Sequence, residues 1–222
     1  MRNNFFFITI LLVFLSLTSC FELTEEVDVK TDGSGTTVLT INLNESKEQL
    51  KSYFNKGVVE GIVLPTRYKM EMGLAHLQEI LNETKGISNV KVESDFEEFI
   101  FVFRANFNNV NALNEAINNL IEALVDDKHD IPKRKNFSFS NNQFTRFFRY
   151  SNYYEAYQKL SSAKRLVLES AQMVSIYRFE KTIKQYSNRD ARLSRSKKAI
   201  MMIQSIADLA QGKSTLENKI SF

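Results

Sequence analysis

From residue 21 onward, apolar and polar positions alternate in short stretches that switch between the period of a strand and the period of a helix. Leu39, Ile41 and Leu43 alternate with Thr40 and Asn42, and Asp32-Gly33-Ser34-Gly35 supplies a turn that folds residues 36–44 back on 21–30 as a hairpin. A helix capped by Asn44 is predicted from Glu45 to about Lys56, followed by a loop through Gly57 and Gly61. Pro65 suits the first position of a second helix, in which Met70, Leu74, Leu77 and Leu81 recur at helical spacing until Gly86 stops it. Val90 to Val92 and Glu98 to Phe107 predict a second hairpin around Asp95-Phe96-Glu97. In its second strand Phe99, Phe101 and Phe103 share one face and Ile100 and Val102 the other, which places that strand, covered on both sides, at the centre of a sheet.

The clearest helix runs from about Val110 to Val125, where Val110, Leu113, Ile117, Leu120, Ile121 and Leu124 recur every three or four residues and Asn108 or Asn109 serves as cap. Asp126 to Pro132 breaks the pattern and reads as a loop. Beyond it, Asn136 to Phe139 and Phe144 to Tyr150 are strand-like, a helix is predicted from about Tyr154 to Met173, and Val174 to Ile183, Ala199 to Ile206 and Leu216 to Phe222 are closing strands, with a short helix or loop at Ala207 to Gly212. Hairpin connections too short for parallel crossovers, joined to amphipathic helices, predict an α+β fold with a largely antiparallel sheet.

The first twenty residues follow a different rule. Arg2 supplies positive charge, Phe5 to Leu15 are apolar except for Thr9, and the small pair Thr18-Ser19 precedes Cys20, the only cysteine of the 222 residues. An apolar run of 11 residues is too short to span a bilayer, which needs about 20. Leu17-Thr18-Ser19-Cys20 resembles the lipobox of bacterial lipoproteins. The resemblance implies a signal peptide over residues 1–19, an acylated Cys20, and a single α+β domain over residues 20–222. An exported chain with one cysteine has no disulfide partner within itself, which argues against a structural role for that thiol.

Charge divides the chain. Residues 21–132 hold 20 Asp and Glu against 10 Lys and Arg, whereas residues 133–200 hold 16 Lys and Arg against 4 Asp and Glu. Either the two halves pack with opposite faces together, or the basic half meets an anionic lipid or an acidic partner. The basic stretch interleaves Lys133, Arg134, Lys135, Arg146 and Arg149 with Phe137, Phe139, Phe144, Phe147, Phe148, Tyr150, Tyr153, Tyr154 and Tyr157. Such a pattern suits a single-stranded nucleic acid or a membrane interface, or rings given to the core; export excludes the nucleic acid. The five cations are the candidates for anionic-surface contact.

Catalytic motifs are fragmentary. Ser161-Ser162-Ala163-Lys164 fits the S-x-x-K of penicillin-binding enzymes and Tyr186-Ser187-Asn188 their second element, but the K-T-G strand is missing and both fragments recur by chance at Ser194-Arg195-Ser196-Lys197 and Tyr150-Ser151-Asn152. Gly212-Lys213-Ser214-Thr215 copies the end of a phosphate-binding loop, yet Ala207 stands where its first glycine is required. His76 and His129 are 53 residues apart with no zinc-ligand spacing around them. No catalytic residue, metal ligand or cofactor is assigned.

The order of Thr31-Asp32-Gly33-Ser34-Gly35, Gly86-Ile87-Ser88-Asn89-Val90 and Ser175-Ile176-Tyr177-Arg178-Phe179-Glu180 resembles exported lipoproteins of Bacteroidota, and more distantly is similar to the LppM-type lipoprotein domain. What the resemblance implies is a non-enzymatic binding or structural module of the bacterial cell envelope, held on a membrane through lipidated Cys20, with the outer membrane favoured and affinity for lipid or an anionic envelope component. A subunit of an envelope complex and an envelope hydrolase with dispersed catalytic residues are the alternatives.

Overall fold

The computed structural model describes residues 21–59, 62–124, 133–140, 142–148, 151–160, 165 and 168–222. The leader, Cys20 and the loop at 126–132 lie outside the described residues. The first hairpin forms as its alternation predicts: β1 (Glu22–Val29) and β2 (Gly35–Asn42) pair antiparallel from Glu22 opposite Asn42 to Val29 opposite Gly35. Asp32 closes the turn by accepting from the Ser34 N–H at 2.9 Å and the Ser34 hydroxyl at 2.7 Å, and Gly33 takes a φ of 85°, open to a residue without Cβ.

Two expected helix starts are displaced. Asn44 opens a short 3-10 turn ahead of α1 (Lys47–Lys56) and does not cap it, because its side-chain amide instead donates to the Glu98 carbonyl and carboxylate across the second hairpin. The predicted loop after α1 contains a small hairpin, β3 (Val58–Val59) with β4 (Ile62–Val63). α2 (Arg67–Glu83) begins after Thr66, whose hydroxyl accepts from the Lys69 N–H at 3.3 Å, so Pro65 precedes the cap rather than opening the helix.

The second hairpin is β5 (Ile87–Asp95) with β6 (Ile100–Phe107). Phe99 has a φ of 54° and belongs to its turn, not to the strand, so it does not share the alternation of Phe101 and Phe103. α3 (Val110–Leu124) follows, and of the two candidate caps Asn109 is the one used: its Oδ1 accepts from the Asn111 and Ala112 N–H groups, each at 3.0 Å. The second half contributes β7 (Phe137–Ser140), β8 (Gln143–Arg146), α4 (Ser151–Gln158), β9 (Gln172–Phe179), β10 (Gln185–Tyr186), β11 (Arg192–Leu193), β12 (Ala199–Ser205), α5 (Ile206–Gln211) and β13 (Asn218–Ser221). Met173, expected to end a helix, is a strand residue beside Leu23 of β1.

The strands form a seven-stranded sheet in the order β11-β12-β9-β1-β2-β6-β5 and a four-stranded sheet in the order β10-β13-β8-β7. The fold is α+β, and its large sheet is antiparallel at every pairing but one: β1 runs parallel to β9. The centre of that sheet is β1, not β6, which lies next to the edge strand β5. Registers carry one level of the sheet across its width. Glu22 aligns with Asn42, Ile100 and Asp95 on one side and with Gln172 and Ser205 on the other, and this defines a leading end; Val29, Gly35, Phe107, Ile87 and Phe179 define the far end.

One face of the large sheet is covered in two portions. α2 and α3 lie over β2, β5 and β6, where Leu81, Ile87, Phe103, Ala105, Leu113 and Ala116 are buried. The small sheet lies over β1, β9 and β12, where Phe137, Phe144, Tyr177, Phe179 and Phe222 stack through ring centroids 4.7–6.1 Å apart. Among the described residues no helix is long and apolar enough to cross a membrane.

Candidate functional site

The five candidate cations do not form one surface. α3 explains where the first three go, because it carries Asn114 and Asn118 four residues apart on one side, and these amides grip the chain that enters β7. Asn114 accepts from the N–H groups of Asn136 and Phe137 at 2.9 and 2.8 Å and donates to the Phe137 carbonyl at 2.8 Å; Asn118 accepts from the Arg134 N–H at 2.9 Å and donates to the Arg134 carbonyl at 3.0 Å. Two side chains thus act as a substitute strand edge, and they hold Lys133, Arg134 and Lys135 along the helix. The exposed Lys133 pairs with Glu115 at 2.5 Å, an interaction that raises its pKa. The Lys135 ammonium stands 5.5 Å from the centre of the Phe147 ring.

Arg146 is withdrawn from any surface role. It sits between the two sheets with its side chain 9% exposed, donating to Glu25 at 3.1 Å and to the Phe147 carbonyl at 2.9 Å, its guanidinium 4.7 Å from the centre of the Phe137 ring. The reason is electrostatic: Glu25 projects from the middle of β1 into the same layer and also accepts from the Tyr177 hydroxyl at 2.7 Å, so each buried charge is matched. Burial works against the charge on Arg146, and Glu25 and Tyr177 together outweigh it, leaving the net shift upward. Burial, reinforced by the same carboxylate, pushes the Tyr177 hydroxyl well above its ordinary range. Arg149 lies outside the described residues, as do Cys20, Tyr150, Ser161 to Lys164 and His129.

The charge halves meet in the same way elsewhere. Arg178 of β9 donates to Glu26 at 2.6 Å and to Asp28 at 3.0 Å on β1, so the acidic first strand is matched by cations from the basic half. The rings follow suit: Phe137, Phe144 and Tyr157 are core, and Tyr154 remains 46% exposed.

Lys135 also borders a cleft of about 270 Å³ at the far end, lined by Asp32 and Gly33 of the first turn, Asn109 and Asn111 at the start of α3, and Ser138 and Ser140 of β7. Three chain segments distant in sequence supply these groups, which is why no local motif announces them. The Ser34 hydroxyl and N–H hold the Asp32 carboxyl below its ordinary value. The cleft therefore offers one cation, one carboxylate, hydroxyls and amides to a polar ligand. Among the described residues, neither Ser138 nor Ser140 is hydrogen-bonded to a base. A second cavity, apolar and of about 80 Å³, lies between β2, β6 and the helices α2 and α3. That is roughly half the 150 Å³ that takes up one benzene, too little for an acyl chain.

The remaining motif fragments have structural uses. Asn188 donates to the carbonyls of Thr215 and Glu217, both at 2.9 Å, while the N–H groups of Ser187 and Asn188 converge on Asn218 Oδ1, so Tyr186-Ser187-Asn188 is a clip on β13. Gly212, at a φ of 70°, ends α5. His76 is exposed on α2, 3.6 Å from Glu79.

No family model and no curated protein matches the chain. Among solved structures it is similar to the folded domain of the LppM protein of Mycobacterium tuberculosis, determined by NMR, with 6% identity over 91% of this chain and 90% of that one and a TM-score of 0.39, a likeness that carries no argument about function.

Proposed function

We propose that this chain is a lipid-anchored module of the bacterial cell envelope, exported behind its leader, acylated at Cys20, and working by binding rather than by catalysis. The observation that carries the reading is the polarity of the large sheet. β1 starts at Glu22, two residues beyond Cys20, so an acyl anchor attaches to the leading end through at most about 7 Å of chain. The lysine-bordered cleft lies at the far end of the sheet, away from the end to which the anchor attaches. Lys135 favours an anionic envelope component as the ligand there, reached from the side opposite the anchor.

The anchor is tested by fatty-acid labelling of the wild type and of Cys20→Ala in a bacterial host; labelling confined to the wild type is expected, and equal labelling of both would refute it. The ligand side is tested by reconstituting the acylated chain in phosphatidylcholine vesicles and adding phosphatidylglycerol vesicles. Clustering that weakens with salt and on Lys135→Glu supports the far-end anion site, and clustering indifferent to both rejects it.

A further inference from the structure

Among the described residues eight large apolar side chains stand exposed, and four of them, Val58, Val63, Tyr68 and Met72, fall within a single stretch of fifteen residues. Val58 and Val63 are direct partners in the β3–β4 hairpin, so they share one face of it, at 50% and 76% exposure. Tyr68 and Met72 are four apart on α2 and share its first turns, at 68% and 56% exposure. Two such apolar pairs, held on regular elements and open to water, are available to an apolar partner.

Its place in the fold identifies one. α1 is tied to the β5–β6 turn by Lys47 on Glu98 at 2.8 Å, Lys51 on Glu97 at 3.5 Å, and the stacked rings of Phe54 and Phe99. The start of α2 is tied to the same turn by Arg67, whose guanidinium lies 5.0 Å from the centre of the Phe96 ring. That turn is level with Glu22, because Asp95 faces Ile100, Ile100 faces Asn42 and Asn42 faces Glu22. β1 and β5 are three strand spacings apart, about 14 Å. The two exposed apolar pairs and the start of β1 at Glu22 therefore share one end of the domain.

We infer that Val58, Val63, Tyr68 and Met72 form a second membrane contact, seated in the interface of the leaflet that holds the Cys20 acyl chains. The inference rests on the anchored reading above. A tether alone leaves a domain free to tumble at its membrane; an apolar foot beside the tether holds the sheet upright and turns the far-end cleft outward. Lys56 and Lys69 flank the foot and are exposed, with stems long enough to reach the headgroups. Glu48 and Glu97 stand at the same end, so the contact is one of apolar insertion, without a demand for anionic lipid.

The test uses the full acylated chain in phosphatidylethanolamine and phosphatidylglycerol vesicles. Acylation consumes the Cys20 sulfur, so Val63→Cys introduces the only free thiol, and Arg195→Cys does the same in the far-end turn between β11 and β12. Nitroxide labels at the two sites are compared by the ratio of their accessibility to oxygen and to a water-soluble nickel complex. A ratio several-fold higher at 63 than at 195 supports the foot. Equal ratios in a chain that carries fatty acid overturn it and leave the anchor standing. A chain that takes up no fatty acid brings down the anchor, and the foot with it. Both positions are on the surface, and matching thermal melts of the two variants confirm that neither label disturbs the fold.

Discussion

Replacing Arg146 by methionine tests whether the layer between the two sheets is held by matched charges. Arg146 and Glu25 are 9% and 14% exposed, so removal of the cation leaves a carboxylate in a largely dry layer, and breaking a buried pair from one side costs about 3–5 kcal/mol. Glu25 keeps the Tyr177 hydroxyl at 2.7 Å, which moderates the loss, while the Phe147 carbonyl gives up its donor at 2.9 Å, which adds to it. A net loss of about 3 to 4 kcal/mol is expected. For a chain of this size that lowers the melting midpoint by roughly 6–15 °C. Removing the whole polar set with Glu25→Leu, Arg146→Met and Tyr177→Phe together should restore most of the stability, since an apolar replacement of a buried pair is neutral or favourable. Urea unfolding followed by circular dichroism measures both. A single variant within about 1 kcal/mol of wild type, or a triple variant no more stable than the single, refutes the reasoning.

Asn114→Ala removes three hydrogen bonds to the chain entering β7 and is expected to cost about 2–3 kcal/mol in urea unfolding, with Asn118→Ala, which loses two and is less buried, costing less; equal and negligible losses would show that the amides do not hold β7. Stability should also fall on acidification. Asp32, Asp95, Glu98 and Glu180 are held below their ordinary values by donors from Ser34, from the Glu98 N–H, from Lys47 and from the Thr31 N–H respectively, so the unfolded chain takes up protons first. Their contribution is whole above the ordinary values of 3.8 for Asp and 4.5 for Glu and is lost as pH falls through the lower folded values. Melting midpoints recorded from about pH 5 downward should decline, and less steeply in Asp95→Asn; parallel curves for the two proteins would rule out a part for Asp95.

What local spacing decides, the chain shows on its face. The Asp32-Gly33 turn, the Asn109 cap and the apolar stripe of α3 each need only neighbours within a few residues, and each forms where the pattern places it. Asn44 fails as a cap because a partner 54 residues away, Glu98, takes its amide. β1 is hidden as the central strand for the same reason: its parallel partner β9 lies about 150 residues on, and Glu22, Thr24, Glu26 and Asp28 make it look like an edge. Arg146 carries no mark of burial in a basic stretch, since the carboxylate that admits it is 121 residues away. Asn114 and Asn118 do not stand out either, because Asn111 and Asn119 lie in the same helix and only the chain entering β7 selects the pair that clamps it.

The parallel pairing of β1 and β9 sets an order of assembly. β1, β2, β6 and β5 lie together in the first 107 residues and are joined through hairpins and neighbours, so that half of the sheet can pair as soon as its chain is available. Until β9 arrives, β1 keeps an open row of backbone donors and acceptors, the kind of edge that recruits other chains. Glu22, Glu26 and Asp28 alternate along it and repel copies of themselves, which guards the edge during that interval. The strand that finally closes the edge brings Arg178, the cation that pairs with two of those three carboxylates. The same acidic row is thus a barrier to wrong partners before closure and a lock for the right one afterwards.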